Sequence, residues 1–217
     1  MAAAKQSYQA FLFDMDGTLI TSNAAAERVW SRWAERHGLD LDRFIPTIHG
    51  VRAIDTIRRQ GLPGIDVEAE AAAIERGEIE DVEGVMPVPG AIDFVRRLPP
   101  DRWAVVTSAS AQLARARMTA AGLQPPELVI TGDSVPRGKP DPAGYRLAAA
   151  RLGFDAADCL VFEDAPAGIA AGQAAGCDVI VVTAAHTHVL ETSWPVLADY
   201  SAVSLGVLAD GRLVPVF

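Results

Sequence analysis

Apolar residues in this chain gather into five short runs, at 8–13 (interrupted by Gln9), 103–107, 128–131, 159–163 and 179–183. Runs of this length without polar alternation are the mark of parallel strands covered on both faces. Between the later runs lie helical patterns at 112–121, 142–152 and 166–175. Each is followed by glycine (Gly122, Gly153, Gly176), and the last two open with Pro142 and Pro166. Proline in the first turn and glycine just past the end is ordinary helix punctuation. Strand alternating with helix predicts an α/β fold, a doubly wound parallel sheet with right-handed crossovers.

The first strand breaks that rhythm. From Thr21 to about Val85 no strand pattern appears. Val29, Trp30, Trp33 and Ala34 follow helical spacing, as do Ile54, Ile57 and Arg58. The stretch 66–83 is acidic and alanine-rich; it reads as a helix with a solvated charged face, with Gly77 a candidate break. The pattern predicts an all-helical cap at 21–85, inserted into a core made of 1–20 and 86–217. Pro87, Pro89 and Gly90 mark the return to the core. Trp30 and Trp33 read as cap core rather than as exposed stacking platforms. The tail from Ser201 reads as a last strand pair turning at Asp210-Gly211.

Composition removes several classes of function. A net charge of -9 and a pI near 4.9 exclude a general nucleic-acid partner and docking on anionic membranes, both of which need a basic face. A small anionic substrate needs only a few local cations and stays possible. The longest apolar run, around 179–185, is too short to span a bilayer. No apolar segment precedes Phe11, so no signal peptide is expected. Cys159 and Cys177, the only cysteines, each start an apolar run; they are expected to be reduced, buried thiols of a cytoplasmic protein. No feature demands an oligomer, so a monomer is expected.

The chemistry starts at Phe11-Leu12-Phe13-Asp14-Met15-Asp16-Gly17-Thr18. A buried strand ends in two carboxylates one residue apart. Desolvation and mutual repulsion make that costly unless a cation binds them, and hard divalent cations take oxygen ligands. Polar groups also follow the later runs: Thr107 and Ser108, Lys139 in the loop 137–142, and Glu163 with Asp164. In open α/β sheets ligands bind beyond the carboxyl ends of the strands. Thr107-Ser108 also suits the cap of a helix starting near Ala111, and Asp164 the N-cap of one starting at Pro166. His186-x-His188 has the spacing of a metal pair, but no third ligand is near in sequence, and a loop is the better reading.

Four motifs stand in order: Asp14-Met15-Asp16-Gly17-Thr18, Val106-Thr107-Ser108, Gly138-Lys139-Pro140 and the run from Val161 to Gly168. On these the chain resembles the haloacid dehalogenase-like hydrolase superfamily over nearly its whole length. The stretch 163–172, with His49-Gly50 in the cap, is similar to the sugar and polyol phosphatases of that superfamily. The resemblance implies a Rossmann-like core and phosphoryl transfer through an aspartyl phosphate. Asp14 would be the nucleophile and Asp16 the acid and base. Mg2+ would be held by Asp14, the Asp16 backbone carbonyl and Asp164, with Glu163 a further ligand or an orienter. Lys139 and Thr107 or Ser108 would hold the phosphate, and His49, Gly50 and Arg52 would face the substrate, a small phosphorylated sugar or polyol. A sugar phosphomutase is the nearest rival. The mutases that resemble this chain carry a histidine early in the first cap helix, where Ala24-Ala25-Ala26 stands here. Dehalogenases lack the second acid, and phosphonatases need a cap lysine, which is missing between Tyr8 and Gly138. A silent phosphosugar-binding module is the alternative from another class.

Overall fold

The computed structural model describes residues 6–186 and 192–217. In chain order the elements are β1 (Ala10–Phe13), β2 (Ile20–Thr21), α1 (Asn23–Arg36), α2 (Leu41–Phe44), α3 (Ala53–Gln60), α4 (Val67–Glu80), β3 (Met86–Pro87), α5 (Ala91–Val95), β4 (Trp103–Val106) and α6 (Ala111–Ala120). There follow β5 (Val129–Ile130), α7 (Ala143–Leu152), β6 (Cys159–Glu163), α8 (Pro166–Ala175), β7 (Asp178–Val182), β8 (Val196–Leu197), β9 (Ser204–Val207) and β10 (Leu213–Val216). The five apolar runs contain β1, β4, β5, β6 and, shifted by one residue, β7. With β8 they make one parallel sheet in the order β5-β4-β1-β6-β7-β8.

Side chains alternate across this sheet as a pleated strand requires. Phe11 and Phe13 of β1 face one layer, with Phe94 of α5, Met118 of α6, Phe162 and Tyr200. Phe13 stacks on its cross-strand partner Phe162 with ring centroids 4.6 Å apart. Ala10 and Leu12 face the other layer, with Tyr145 and Ala148 of α7 and Ala171 of α8. Small residues on that side bring both helices close to the strands. β1 is therefore buried on both faces, and its carboxyl end is fixed from two sides.

Helices α1 to α4 leave and rejoin the sheet through an antiparallel ribbon of β2 and β3, with Ile20 opposite Pro87 and Thr21 opposite Met86. They enclose a core of their own, including Val29, Trp30, Trp33, Phe44, Ile57 and Ile74. Two expectations need correction. Gly77 does not break α4, which runs unbroken to Glu80. A Cβ at Gly77 would lie 3.0 Å from Val29 Cγ1, so glycine lets α1 and α4 approach. Nor is the acidic face all solvated. Glu70 accepts a 2.8 Å hydrogen bond from Trp33 Nε1, and Glu78 is buried.

The tail forms the expected strand pair, β9 with β10, as a separate sheet. Its turn is not the two-residue Asp210-Gly211 type: Leu208 N bonds to Arg212 O over 2.9 Å, giving a longer loop. Cys159 and Cys177 are buried and form no disulfide. Among the described residues no helix is long and apolar enough to cross a membrane.

Candidate active site

Four chain segments converge at the carboxyl end of β1. Asp14 N extends the ladder by bonding to Phe162 O over 2.9 Å, which sets the Asp14 side chain at the strand tip, 4% exposed. Lys139 Nζ donates to Asp14 Oδ1 and, over 2.6 Å, to Glu163 Oε1. Glu163 Oε1 also accepts from Tyr145 Oη (2.9 Å), and Oε2 accepts from the backbone N–H groups of Asp164 (2.9 Å) and Ala165 (3.0 Å). Both its oxygens are thus engaged, and the carboxylate works as a rigid bracket for Lys139. Gly168 makes room for it: a Cβ there would lie 1.5 Å from Glu163 Oε1.

Asp164 sits beside this pair. The ligand oxygens of Asp14, Glu163 and Asp164 all lie within 4.8 Å of one another, and all three residues are buried. Asp164 Oδ1 has no hydrogen-bond partner among the described residues. Burial pushes the Asp14 carboxyl up to about 8, with Lys139 pulling it down and Glu163 and Asp16 adding to the rise. Burial likewise raises Asp164 well above the usual carboxylate range, helped by Glu163 and Asp14. A buried, crowded acid set with an orphaned oxygen is what a hard divalent cation satisfies, so these residues fit Mg2+. Gly17 serves the same cluster. Its φ is +85°, and a Cβ there would fall 1.9 Å from Asp164 Oδ2.

Asp16 stands apart from these acids. Its Oδ1 accepts from Ser22 Oγ at 2.5 Å and lies 3.1 Å from Arg117 Nη1. Arg117 is 5% exposed and gives Nη2 to Glu78 Oε1 at 3.0 Å. Sequence reading missed both Arg117 and Glu78. The available signal was an arginine placed among the buried positions Leu113, Ala114 and Met118 of α6.

The remaining predicted residues surround a chamber of about 530 Å³ between cap and core, with Asp14, Asp16, Thr107 and Ser108 on the core side and His49, Gly50 and Arg52 on the cap side. Thr107 Oγ1 accepts from Ala109 N at 3.1 Å. Ser108 Oγ donates to Gly50 O at 2.9 Å, tying core to cap. Neither caps α6; Ser110 does, accepting from Leu113 N at 3.2 Å. Asp164 does not cap α8 either, since Ala165 holds that position without a side-chain bond. His49 Nε2 lies 3.4 Å from Glu27 Oε1, and burial lowers its pKa. Arg52 gives Nε to Asp55 at 2.7 Å and Nη1 to the carbonyls of Gly132, Val135 and Pro136 at 3.3–3.4 Å. Trp30 and Trp33 are buried in the cap, as expected, although Trp30 also borders the chamber. His186 Nε2 meets Asp164 O at 2.9 Å, while His188 lies outside the described residues.

This geometry agrees with what the chain resembles. Residues 8–176 match the haloacid dehalogenase-like hydrolases, and the chain belongs to that family. It is 47% identical over 178 residues to hexitol phosphatase A of Escherichia coli (strain K12), covering 80% of this chain and 82% of that protein. It is 36% identical over 184 residues to glycerol-1-phosphate phosphohydrolase 1 of Saccharomyces cerevisiae (strain ATCC 204508 / S288c), covering 79% and 73%. The resemblance to sugar and polyol phosphatases is therefore borne out. A crystal structure of a hydrolase from Pseudomonas syringae shares the fold, with a TM-score of 0.77 at 22% identity over 89% of this chain and 94% of that one.

Proposed function

We propose that this enzyme hydrolyses monophosphate esters of small polyols or sugars through an aspartyl phosphate on Asp14. The observation that carries the reading is the buried Asp14–Lys139–Glu163 arrangement beside the orphaned Asp164 oxygen, opening on a chamber roofed by the cap. The relatives named above, phosphatases of a hexitol and a glycerol phosphate, support it.

In this reading Asp14 attacks phosphorus and the bond from phosphorus to the leaving-group oxygen breaks. Asp16 gives that oxygen its proton. Asp16 then takes a proton from the water that attacks the acyl phosphate, and inorganic phosphate leaves. Lys139, fixed by Glu163 and Tyr145, neutralises a phosphoryl oxygen, and Thr107 and Ser108 with neighbouring N–H groups hold the others. Asp14, Asp164 and the Asp16 backbone carbonyl would hold Mg2+. When bound, the ion supplies positive charge to the phosphoryl oxygens. We assign Glu163 to orienting Lys139, Arg52 to clasping the cap onto the loop after β5, and His49 and Gly50 to the substrate-facing wall.

We divide the chain into a core of 1–20 and 86–217 and a cap of 21–85, supported by the ribbon at its root and its separate apolar cluster. The two buried thiols fit a reducing compartment, which we take to be the cytoplasm, and we expect a monomer. Phosphate release from a panel of polyol, sugar and nucleotide monophosphates, with Mg2+ and an Asp14→Asn control, tests the reading. Release confined to polyols or sugars and silent in the variant is expected. Isomerisation without release would move the protein to the mutases.

A further inference from the structure

Several acids line the chamber beside α4 and the amino end of α6. Glu75 and Glu78 of α4 line it together with the small side chains of Ala71 and Ala72, and Asp133 borders it from the turn after β5. Glu78 is neutralised by Arg117, whose charge is shared with Asp16. Glu75 and Asp133 have no cation partner among the described residues. Glu75 Oε1 accepts from Ser110 Oγ, and Asp133 Oδ2 accepts from Ala111 N at 3.1 Å.

Both contacts lie at the amino end of α6. Unpaired N–H groups and the helix dipole make such an end the natural seat for a second anion. Here the chain's own carboxylates occupy it. The other cations bordering the chamber are already committed, Arg52 to Asp55 and three carbonyls, Arg117 to Asp16 and Glu78. A leaving group thus meets hydrogen-bond acceptors and negative charge, with no free cation among the described residues.

We propose, building on the phosphatase reading, that Glu75 and Asp133 select the leaving group by charge: it carries hydroxyls or a protonated amine that donate to them, and no second phosphate or carboxylate. Ionised carboxylates only accept hydrogen bonds, so they suit O–H and N–H donors. A second anion brought against them is penalised by like charge, a repulsive element that sharpens specificity.

The test compares kcat/KM, with Mg2+, for a hexitol monophosphate, the corresponding bisphosphate and an amino-sugar phosphate, with an aryl phosphate as reference. In the wild type the bisphosphate should fall about a hundredfold below the monophosphate, and the amino-sugar phosphate should stay within about tenfold of it. Glu75→Gln and Asp133→Asn, which keep shape and acceptor oxygens, should each narrow the gap to the bisphosphate about tenfold. Equal wild-type turnover of mono- and bisphosphate would overturn the proposal without any variant. So would rejection of the amino-sugar phosphate together with the bisphosphate, or an unmoved ratio in both folded variants. Silence of the wild type on every ester, the aryl phosphate included, would instead remove the phosphatase reading on which the proposal rests.

Discussion

Arg117 Nη1 lies 3.1 Å from Asp16 Oδ1, joining an arginine of the core helix α6 to the proposed acid and base. The same guanidinium reaches Glu78 of the cap at 3.0 Å, so one buried cation serves two carboxylates from different parts of the fold. Arg117→Met would leave Glu78 buried with a hydrogen bond from Trp30 but no cation, at a cost of about 3–5 kcal/mol. It would also release one of the two groups that hold Asp16, and kcat should fall at least about tenfold. The double variant Arg117→Met/Glu78→Leu should recover much of the stability, because replacing both partners of a buried pair by apolar groups is often close to neutral. It should not recover kcat. Thermal unfolding beside steady-state kinetics separates the two effects; activity returning with stability would reduce Arg117 to a scaffold.

Asp164 Oδ1, buried and unpartnered, forecasts the response to metal. EDTA should abolish turnover. Asp164→Asn should abolish it as well, while raising the melting temperature of the metal-free protein, because it removes one of three crowded acids. The stabilisation that Mg2+ gives the wild type should vanish in this variant. A lower metal-free melting temperature for Asp164→Asn would contradict the crowding argument, and full activity in EDTA would contradict the mechanism.

Gly168→Ala offers a sharper probe. Alanine is worth about 1 kcal/mol over glycine inside a helix, so α8 by itself should gain. The new Cβ would stand 1.5 Å from Glu163 Oε1 and push that carboxylate off Lys139. We expect a fall in kcat of about a hundredfold or more, as for loss of an electrostatic stabiliser. Wild-type kcat in this variant would show that the bracket around Lys139 is dispensable.

Cys177 gives a pH dependence outside the site. Burial pushes its thiol from 9.0 up to about 12, with Cys159 adding to the rise. Folding therefore favours the protonated thiol. The associated stability is complete below pH 9 and is lost as pH rises from 9 toward 12, amounting to about 2 kcal/mol by pH 10.5. Denaturation midpoints at pH 8 and pH 10.5 should show a smaller alkaline drop for Cys177→Ala than for the wild type. An equal drop in the two proteins would assign the alkaline loss to other groups.

The sequence made plain those parts of the fold whose signal is local. The β1, β4, β5, β6 and β7 runs declare themselves because both sheet faces are covered, and α7 and α8 because proline and glycine bracket them. β8 has two residues and exists only as a partner for the edge of β7, so no periodicity announces it. The ribbon of β2 and β3 pairs residues 65 or more positions apart and is equally silent. At the site, Asp14, Lys139, Glu163 and Asp164 meet as their places after the strands suggested. Glu78 misled for a physical reason. An acid in an alanine-rich helix looks solvated until its partner is known, and that partner, Arg117, lies on α6 of the core, 39 positions away.

The clasp between cap and core has a consequence for divergence. Arg52 ends on the carbonyls of Gly132, Val135 and Pro136, and Ser108 ends on that of Gly50. Both sides of the seam are read through main-chain oxygens, which every residue type supplies. Val135 and Pro136 can therefore change their side chains without loosening the grip, whereas Gly132 and Gly138 are held to glycine, since a Cβ there would fall 2.5 Å from Ser108 O and 2.7 Å from Arg52 Nε; the chamber can be refitted to a new alcohol while its door keeps the same latch.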